Sequence, residues 1–124
     1  MRHLILILAL LSTSSIFSQS KLTTMNNHEN PCDYGTEMAI TDFSNGKYVM
    51  VTYGLIVSQD WDFENYYIDY MAKNYNVIMS FGGCTVLPSE LCYSNKMKEL
   101  LRDKFGANFF EESKEAAKQL YNSK

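Results

Sequence analysis

Two short apolar segments, separated by a helix-length segment, constrain the fold of this chain more than any other feature. The first, residues 47–53, is rich in β-branched and aromatic side chains and ends before Gly54. The second, residues 77–81, ends before Gly82 and Gly83. Such segments are typical of β-strands, and the first lacks polar alternation, which predicts cover on both of its faces. A strand, a helix and a second strand predict parallel pairing through a right-handed crossover.

A helical pattern precedes the first strand. Residues 36–45 place three apolar side chains on one face, and Gly46 suits the end of a helix. The dipeptide Asn45-Gly46 would also suit the turn of a β-hairpin, which is the alternative. We favour the helix because the residues before Asn45 alternate only imperfectly between apolar and polar.

Three longer helical patterns follow along the chain. They run from Asp60 or Asp62 to about residue 75, over residues 88–105, and from Asn108 to about residue 121. Acidic residues at the start of the first of these suit capping and the helix dipole. Asn108 followed by Glu111 predicts a capping box for the last helix.

These elements predict a small α/β fold, with α+β as the alternative class. One helix precedes the β-α-β unit and two helices follow it. A sheet of two strands is marginal by itself. We therefore expect a third short strand at residues 55–57 or 85–87, or pairing of the sheets of two chains in a homodimer.

The N-terminal residues predict where the protein acts. Residues 1–3 are positively charged, residues 4–11 are all apolar, and residues 12–18 are mostly small and polar. This layout is typical of a secretory signal peptide, for which we place cleavage after Ser18. The apolar run spans only about 12 Å as a helix, too little for a membrane anchor. No cysteine of a lipobox lies near Ser18, so we predict a secreted or periplasmic protein.

The predicted mature chain has a disordered polar leader at residues 19–30 and a single α/β domain at residues 31–124. The net charge of the full chain is −3, and its basic residues form no run. Composition therefore argues against nucleic acid as a partner, and we expect no membrane insertion after signal cleavage. His28 is the only histidine left after cleavage, so the common hydrolase constellations lack a base. We expect no cofactor.

The mature chain contains three cysteines, Cys32, Cys84 and Cys92. Pairing is the default in an oxidising compartment. We favour a Cys84–Cys92 disulfide because it is local and bridges the bend at Pro88, with Cys32 as the alternative partner of either. No metal is expected. The rival hypothesis is a thiol-based metal or redox protein in which Cys32, Cys84 and Cys92 bind zinc or copper(I).

The predicted central helix carries more aromatic side chains than one helix face can bury. Trp61, Tyr66 and Tyr70 are therefore candidates for an exposed platform that binds a glycan, a peptide or a protein. The alternative is that most of these rings belong to the core, with their hydroxyl groups reaching solvent.

A second group of candidates lies where the strands end. Tyr53 ends the first strand, at the sheet edge where two helix N-termini should meet. Asp60 and Asp62 could bind Ca²⁺ or act as an acid/base pair, although helix capping also accounts for them. The sequence thus predicts a non-catalytic binding or interaction module whose partner is a protein, a peptide or a glycan.

Several short motifs stand near the ends of the predicted elements: Asn45-Gly46-Lys47, Tyr53-Gly54-Leu55, Met71-Ala72-Lys73-Asn74-Tyr75, Gly83-Cys84 and Lys104-Phe105-Gly106. With these motifs the chain resembles the FEKKY-domain family of small secreted bacterial proteins. In the name-giving segment Lys73 and Tyr75 fit, whereas Met71, Ala72 and Asn74 depart. The resemblance implies the same fold and a secreted protein, and it implies no particular activity.

Overall fold

The computed structural model describes residues 30–54 and 57–123 of the chain. The predicted signal peptide, nearly all of the predicted leader, and residues 55 and 56 of a predicted third strand lie outside the described residues. The described part contains, in chain order, α1 (Pro31–Ser44), β1 (Tyr48–Thr52), α2 (Trp61–Tyr75), β2 (Val77–Phe81), α3 (Pro88–Phe105) and α4 (Phe109–Asn122).

The β-α-β unit is present as predicted, and the fold is of the mixed α/β class. β1 and β2 pair in parallel, with Tyr48 opposite Val77 and Thr52 opposite Phe81. One helix precedes the sheet and two helices follow it, also as predicted. Among the described residues the sheet has two strands, so residues 85–87 do not form the expected third strand.

α1 begins five residues earlier than predicted, because its cap lies in the segment assigned to the leader. The Asn30 side chain accepts a hydrogen bond from the Cys32 backbone N–H at 2.9 Å. Pro31 takes the first helical position, where its missing N–H loses no intrahelical bond. After the helix Gly46 has a positive φ of 74°, which glycine adopts without strain. Because the residues before it are helical as far as Ser44, the alternative hairpin turn at Asn45-Gly46 is wrong.

The predicted capping box at the start of α4 is also wrong. Asn108 precedes α4, but its side chain makes no capping hydrogen bond. The Asn108 backbone (φ −99°, ψ 19°) is not in the extended conformation that directs a cap side chain toward the first N–H groups of a helix. Glu111 instead forms an ion pair with Arg102 of α3, with the charged atoms 3.5 Å apart.

The core lies between one face of the sheet and helices α2, α3 and α4, and α1 reaches it through Ala39. The largest fully buried side chains are Met71, Val77, Met97 and Leu101. Met50 of β1 and Phe109 of α4 also belong to this core. With Ala39 of α1, the core side chains come from all six elements, so the core joins the sheet to all four helices.

α3 covers the outer edge of β1. The Thr52 carbonyl accepts a hydrogen bond from the Gly82 N–H, so the neighbouring Val51 carbonyl points away from β2. The Ser94 hydroxyl of α3 donates a 2.8 Å hydrogen bond to that Val51 carbonyl. This bond satisfies an edge carbonyl that would otherwise be open to pairing with another chain.

α1 and α3 approach each other closely at Gly35. A Cβ atom added to Gly35 would lie 1.9 Å from the Ser89 carbonyl oxygen, so only glycine permits this approach. Cys32 lies one helical turn before Gly35, and Cys92 lies one turn after Ser89. The two cysteines form a disulfide, with their Cα atoms 5.2 Å apart.

The preferred pairing of Cys84 with Cys92 is therefore wrong. The observed disulfide is one of the two alternatives in which Cys32 is a partner. Proximity in sequence favoured Cys84. However, the residues after β2 form neither helix nor strand, and Cys84 is exposed among them as a free thiol. The contact between α1 and α3 instead brings Cys32 to Cys92 across a sequence separation of 60.

Removing the disulfide should lower the free energy of unfolding by about 2–4 kcal/mol, because a bridge across a sequence separation of 60 strongly restricts the unfolded chain. We expect this loss in the Cys32→Ser/Cys92→Ser double variant, measured by urea denaturation. Cys84→Ser is the control and should change stability by less than about 0.5 kcal/mol. A large loss in the control with none in the double variant would contradict the pairing.

Gly35→Ala should destabilise the protein by about 1–3 kcal/mol, because the new methyl group would meet the Ser89 carbonyl. Helix propensity alone predicts the opposite sign, since alanine stabilises a helix interior by about 0.5–1 kcal/mol relative to glycine. Urea denaturation distinguishes the two, with Thr41→Ala as a control at an exposed position of α1. A Gly35→Ala protein as stable as the wild type would mean that the helices separate without cost.

Candidate functional site

A groove of about 450 Å³ lies between α1, β1 and the N-terminal turns of α3. Its apolar and aromatic lining consists of Tyr34, Met38, Val49, Tyr53, Leu87 and Tyr93. Charged side chains line it at Asp42, Lys47 and Glu90. A mostly apolar lining with a few polar groups is typical of ligand sites. We refer to this feature as the groove.

One wall of the groove comes from the face of β1 that points away from the core. Met50 is buried in the core, so Val49 lies on the opposite face together with Lys47 and Tyr53. Ile78 of β2 is level with Val49 on that face and is 55% exposed. The predicted cover on both faces of the first strand is therefore wrong: one face packs on the core and the other lines the groove.

The opposite wall is a stripe along α1. Tyr34, Met38 and Asp42 follow at intervals of four residues, so they share one face of the helix. Tyr34 is 50% and Met38 is 41% exposed. The close contact between Gly35 and Ser89 fixes this stripe against the start of α3.

A hydrogen-bonded group occupies one end of the groove. The Tyr93 hydroxyl donates to Asp42 Oδ2 at 2.9 Å, and Lys47 Nζ donates to the same oxygen at 3.0 Å. The bond from Lys47 holds the pKa of Asp42 below its ordinary value, and the bond from Tyr93 adds to this against the opposing effect of burial. Burial raises the pKa of Tyr93, and its bond to the Asp42 carboxylate raises it further.

The other end of the groove carries the carboxylate of Glu90. Glu90 Oε2 accepts a hydrogen bond from the Leu87 backbone N–H at 2.9 Å, which fixes the carboxylate at the start of α3. Tyr53 lies near it, at the C-terminal end of β1. Burial raises the pKa of Tyr53, and the negative charge of Glu90 raises it further.

The structure separates the predicted aromatic candidates. Of the four aromatic candidates, Tyr53 lines the groove, and Trp61, Tyr66 and Tyr70 do not. Tyr66 packs on Tyr121 of α4 with ring centroids 5.4 Å apart, and Tyr70 packs on Tyr75 at 6.0 Å. Tyr66 and Tyr70 line a smaller recess of about 340 Å³ beside α4. Trp61 is 49% exposed at the start of α2 and does not line that recess.

The two acidic candidates lie at the start of α2. Asp60 caps the helix as the sequence predicts, since its Oδ1 accepts a hydrogen bond from the Phe63 backbone N–H at 2.9 Å. Asp62 is exposed in the first turn. In the described part of the chain, no group of three or more His, Cys, Asp or Glu side chains is arranged to hold a metal ion.

The thiol-based hypothesis requires three cysteines in one site. Cys32 and Cys92 form the disulfide, and Cys84 is a free, exposed thiol. In this oxidised state the three thiolates proposed as zinc or copper(I) ligands are not available together.

The described helices include none that is long and apolar enough to cross a membrane.

No local sequence pattern predicts most of the groove. The predicted helix begins at Thr36 and so excludes Tyr34, which hides the four-residue spacing of Tyr34, Met38 and Asp42 on one helix face. Asp42 and Tyr93 stand 51 residues apart, and no local pattern relates them. The spacing of Lys47, Val49 and Tyr53 on alternate positions was the one available signal of a second face.

Comparisons with known proteins identify no relative. No family model, no curated protein and no solved structure matches this chain. The function is therefore argued from the chemistry and geometry of the groove.

Tyr93→Phe should lower the free energy of unfolding by about 1 kcal/mol at pH 7, because Asp42 loses a hydrogen-bond donor. The raised pKa of Tyr93 means that this residue stabilises the fold below about pH 10, the ordinary tyrosine value, and that the contribution is lost as the pH rises further. The variant should therefore lose less stability than the wild type as the pH rises above about 10, measured by urea denaturation at a series of pH values.

Lys47→Met is the matched control for this experiment. Lys47 lowers the pKa of Asp42, so the carboxylate contributes stability above about pH 4 that is lost as the pH falls through its folded value. We expect Lys47→Met to flatten the acid side of the profile, because Asp42 loses the ammonium that lowers its pKa. An alkaline side that is unchanged in Tyr93→Phe would contradict the assignment to Tyr93.

Proposed function

We propose that this chain is a non-catalytic binding module that acts outside the cytoplasm, with the groove as its ligand site. The observation that carries the proposal is the exposed apolar lining of the groove. Tyr34, Met38 and Leu87 are each about half exposed, and they come from both sides of the groove. A partner that covers them would remove this apolar surface from water, which is the main driving force of association.

The titratable groups of the groove favour binding over proton transfer. A general acid or base is most effective when its pKa lies near the working pH. The pKa of Asp42 is lowered and that of Tyr93 is raised, so each keeps one protonation state near neutral pH. Such groups present a fixed pattern of charge and hydrogen bonds to a ligand.

Two features support a location outside the cytoplasm. Residues 1–18 have the charged, apolar and small-residue layout of a secretory signal peptide. The disulfide between Cys32 and Cys92 is a bond that forms and persists in oxidising compartments. Membership of the FEKKY-domain family is part of this proposal and is based on the short motifs alone.

A random peptide library displayed on phage, selected against the mature chain, tests the groove as the ligand site. We expect the enriched peptides to bind Met38→Arg at least about tenfold more weakly than the wild type, because the new side chain is longer and charged and stands in the apolar lining. Leu120→Arg is the control, since Leu120 is exposed to a similar extent on α4, away from the groove. Enriched peptides that bind Met38→Arg as tightly as the wild type would place the site elsewhere.

A further inference from the structure

We propose that the groove selects an extended, basic amphipathic peptide segment, with a lysine or arginine side chain of the ligand placed against Glu90 and Tyr53. This proposal rests on the groove being the ligand site, and it adds the chemical class of the ligand. Its basis is the difference in charge between the two ends of the groove.

The two ends of the groove are not equally neutralised. At one end the Asp42 carboxylate is paired with the Lys47 ammonium at 3.0 Å. At the other end the Glu90 carboxylate forms no ion pair with a cation among the described residues.

An aromatic ring stands beside this unpaired carboxylate. Tyr53 lines the same end of the groove, and the negative charge of Glu90 acts on its hydroxyl. A cation that lies between a carboxylate and a tyrosine ring gains from both, since the face of the ring attracts positive charge. Arginine and lysine side chains are the cations that a peptide ligand supplies.

The middle of the groove is apolar. Met38 and Val49 stand on its two walls, and Leu87, which is 57% exposed, lies toward the Glu90 end. An extended peptide of about six residues spans about 20 Å and turns alternate side chains to the same side. A basic residue at one end, followed by apolar residues at alternate positions, therefore matches the charged end and the apolar middle. A neutral glycan can donate hydroxyl groups to the Glu90 carboxylate, but it carries no positive charge to neutralise it.

The same peptide library provides the test, because its sequences report which side chains the groove selects. Peptides enriched on the wild-type mature chain should carry lysine and arginine at least about fivefold more often than aspartate and glutamate, relative to the unselected library. Selection against Glu90→Gln should lose this bias. The glutamine side chain still offers an oxygen to the Leu87 N–H, so the variant removes the charge and keeps the cap.

Glu112→Gln is the matched control, because it removes an exposed carboxylate from α4 and should keep the bias. Binding of a selected lysine peptide should also weaken as sodium chloride is raised, and when its lysine is acetylated.

The outcomes separate the two proposals. Peptides that depend on Met38 but show no basic bias, or a bias that persists in Glu90→Gln, would overturn this inference and leave the groove as the ligand site. Peptides that show a basic bias but bind Met38→Arg normally would overturn both. A library without enrichment, together with a neutral glycan that binds the wild type and not Met38→Arg, would replace the peptide with a glycan.

Discussion

The close contact between α1 and α3 at Gly35 is the constraint on which the rest of the structure depends. Among the described elements, α1 packs chiefly on α3. It does so where a glycine lets the Ser89 carbonyl occupy the space that a side chain would take. The disulfide between Cys32 and Cys92 lies beside this contact and holds the two helices together. This contact places α1 beside α3, where α1 forms one wall of the groove.

A sheet of two strands is marginal by itself, and neighbouring helices supply what it lacks. The Ser94 hydroxyl of α3 satisfies the Val51 carbonyl at the outer edge of β1, and the core residues of α2, α3 and α4 cover one face. The other face of β1 lines the groove. The apolar character of β1 on both faces thus has two causes: one face builds the core, and the other builds the candidate binding surface.

The charged groups of the groove combine a structural role with the recognition role proposed for them. Asp42 accepts hydrogen bonds from Tyr93 and Lys47, which connect α1 to α3 and to the residue before β1. Glu90 receives the Leu87 N–H at the start of α3 and leaves its charge at the edge of the groove. Because these bonds hold the side chains in place without a ligand, binding would cost little additional ordering.

The sequence by itself determined the bounds of β2 and α3, the parallel crossover and the α/β class, because these follow from local periodicity, helix ends and chain connectivity. Tertiary structure decided the disulfide partner of Cys92 and the existence of the groove. Both depend on a steric fit at Gly35 between segments about 60 residues apart, and no local pattern records such a fit. Tyr53 was predicted from its place at the end of a strand, whereas Asp42 and Tyr93 become partners only once α1 lies against α3.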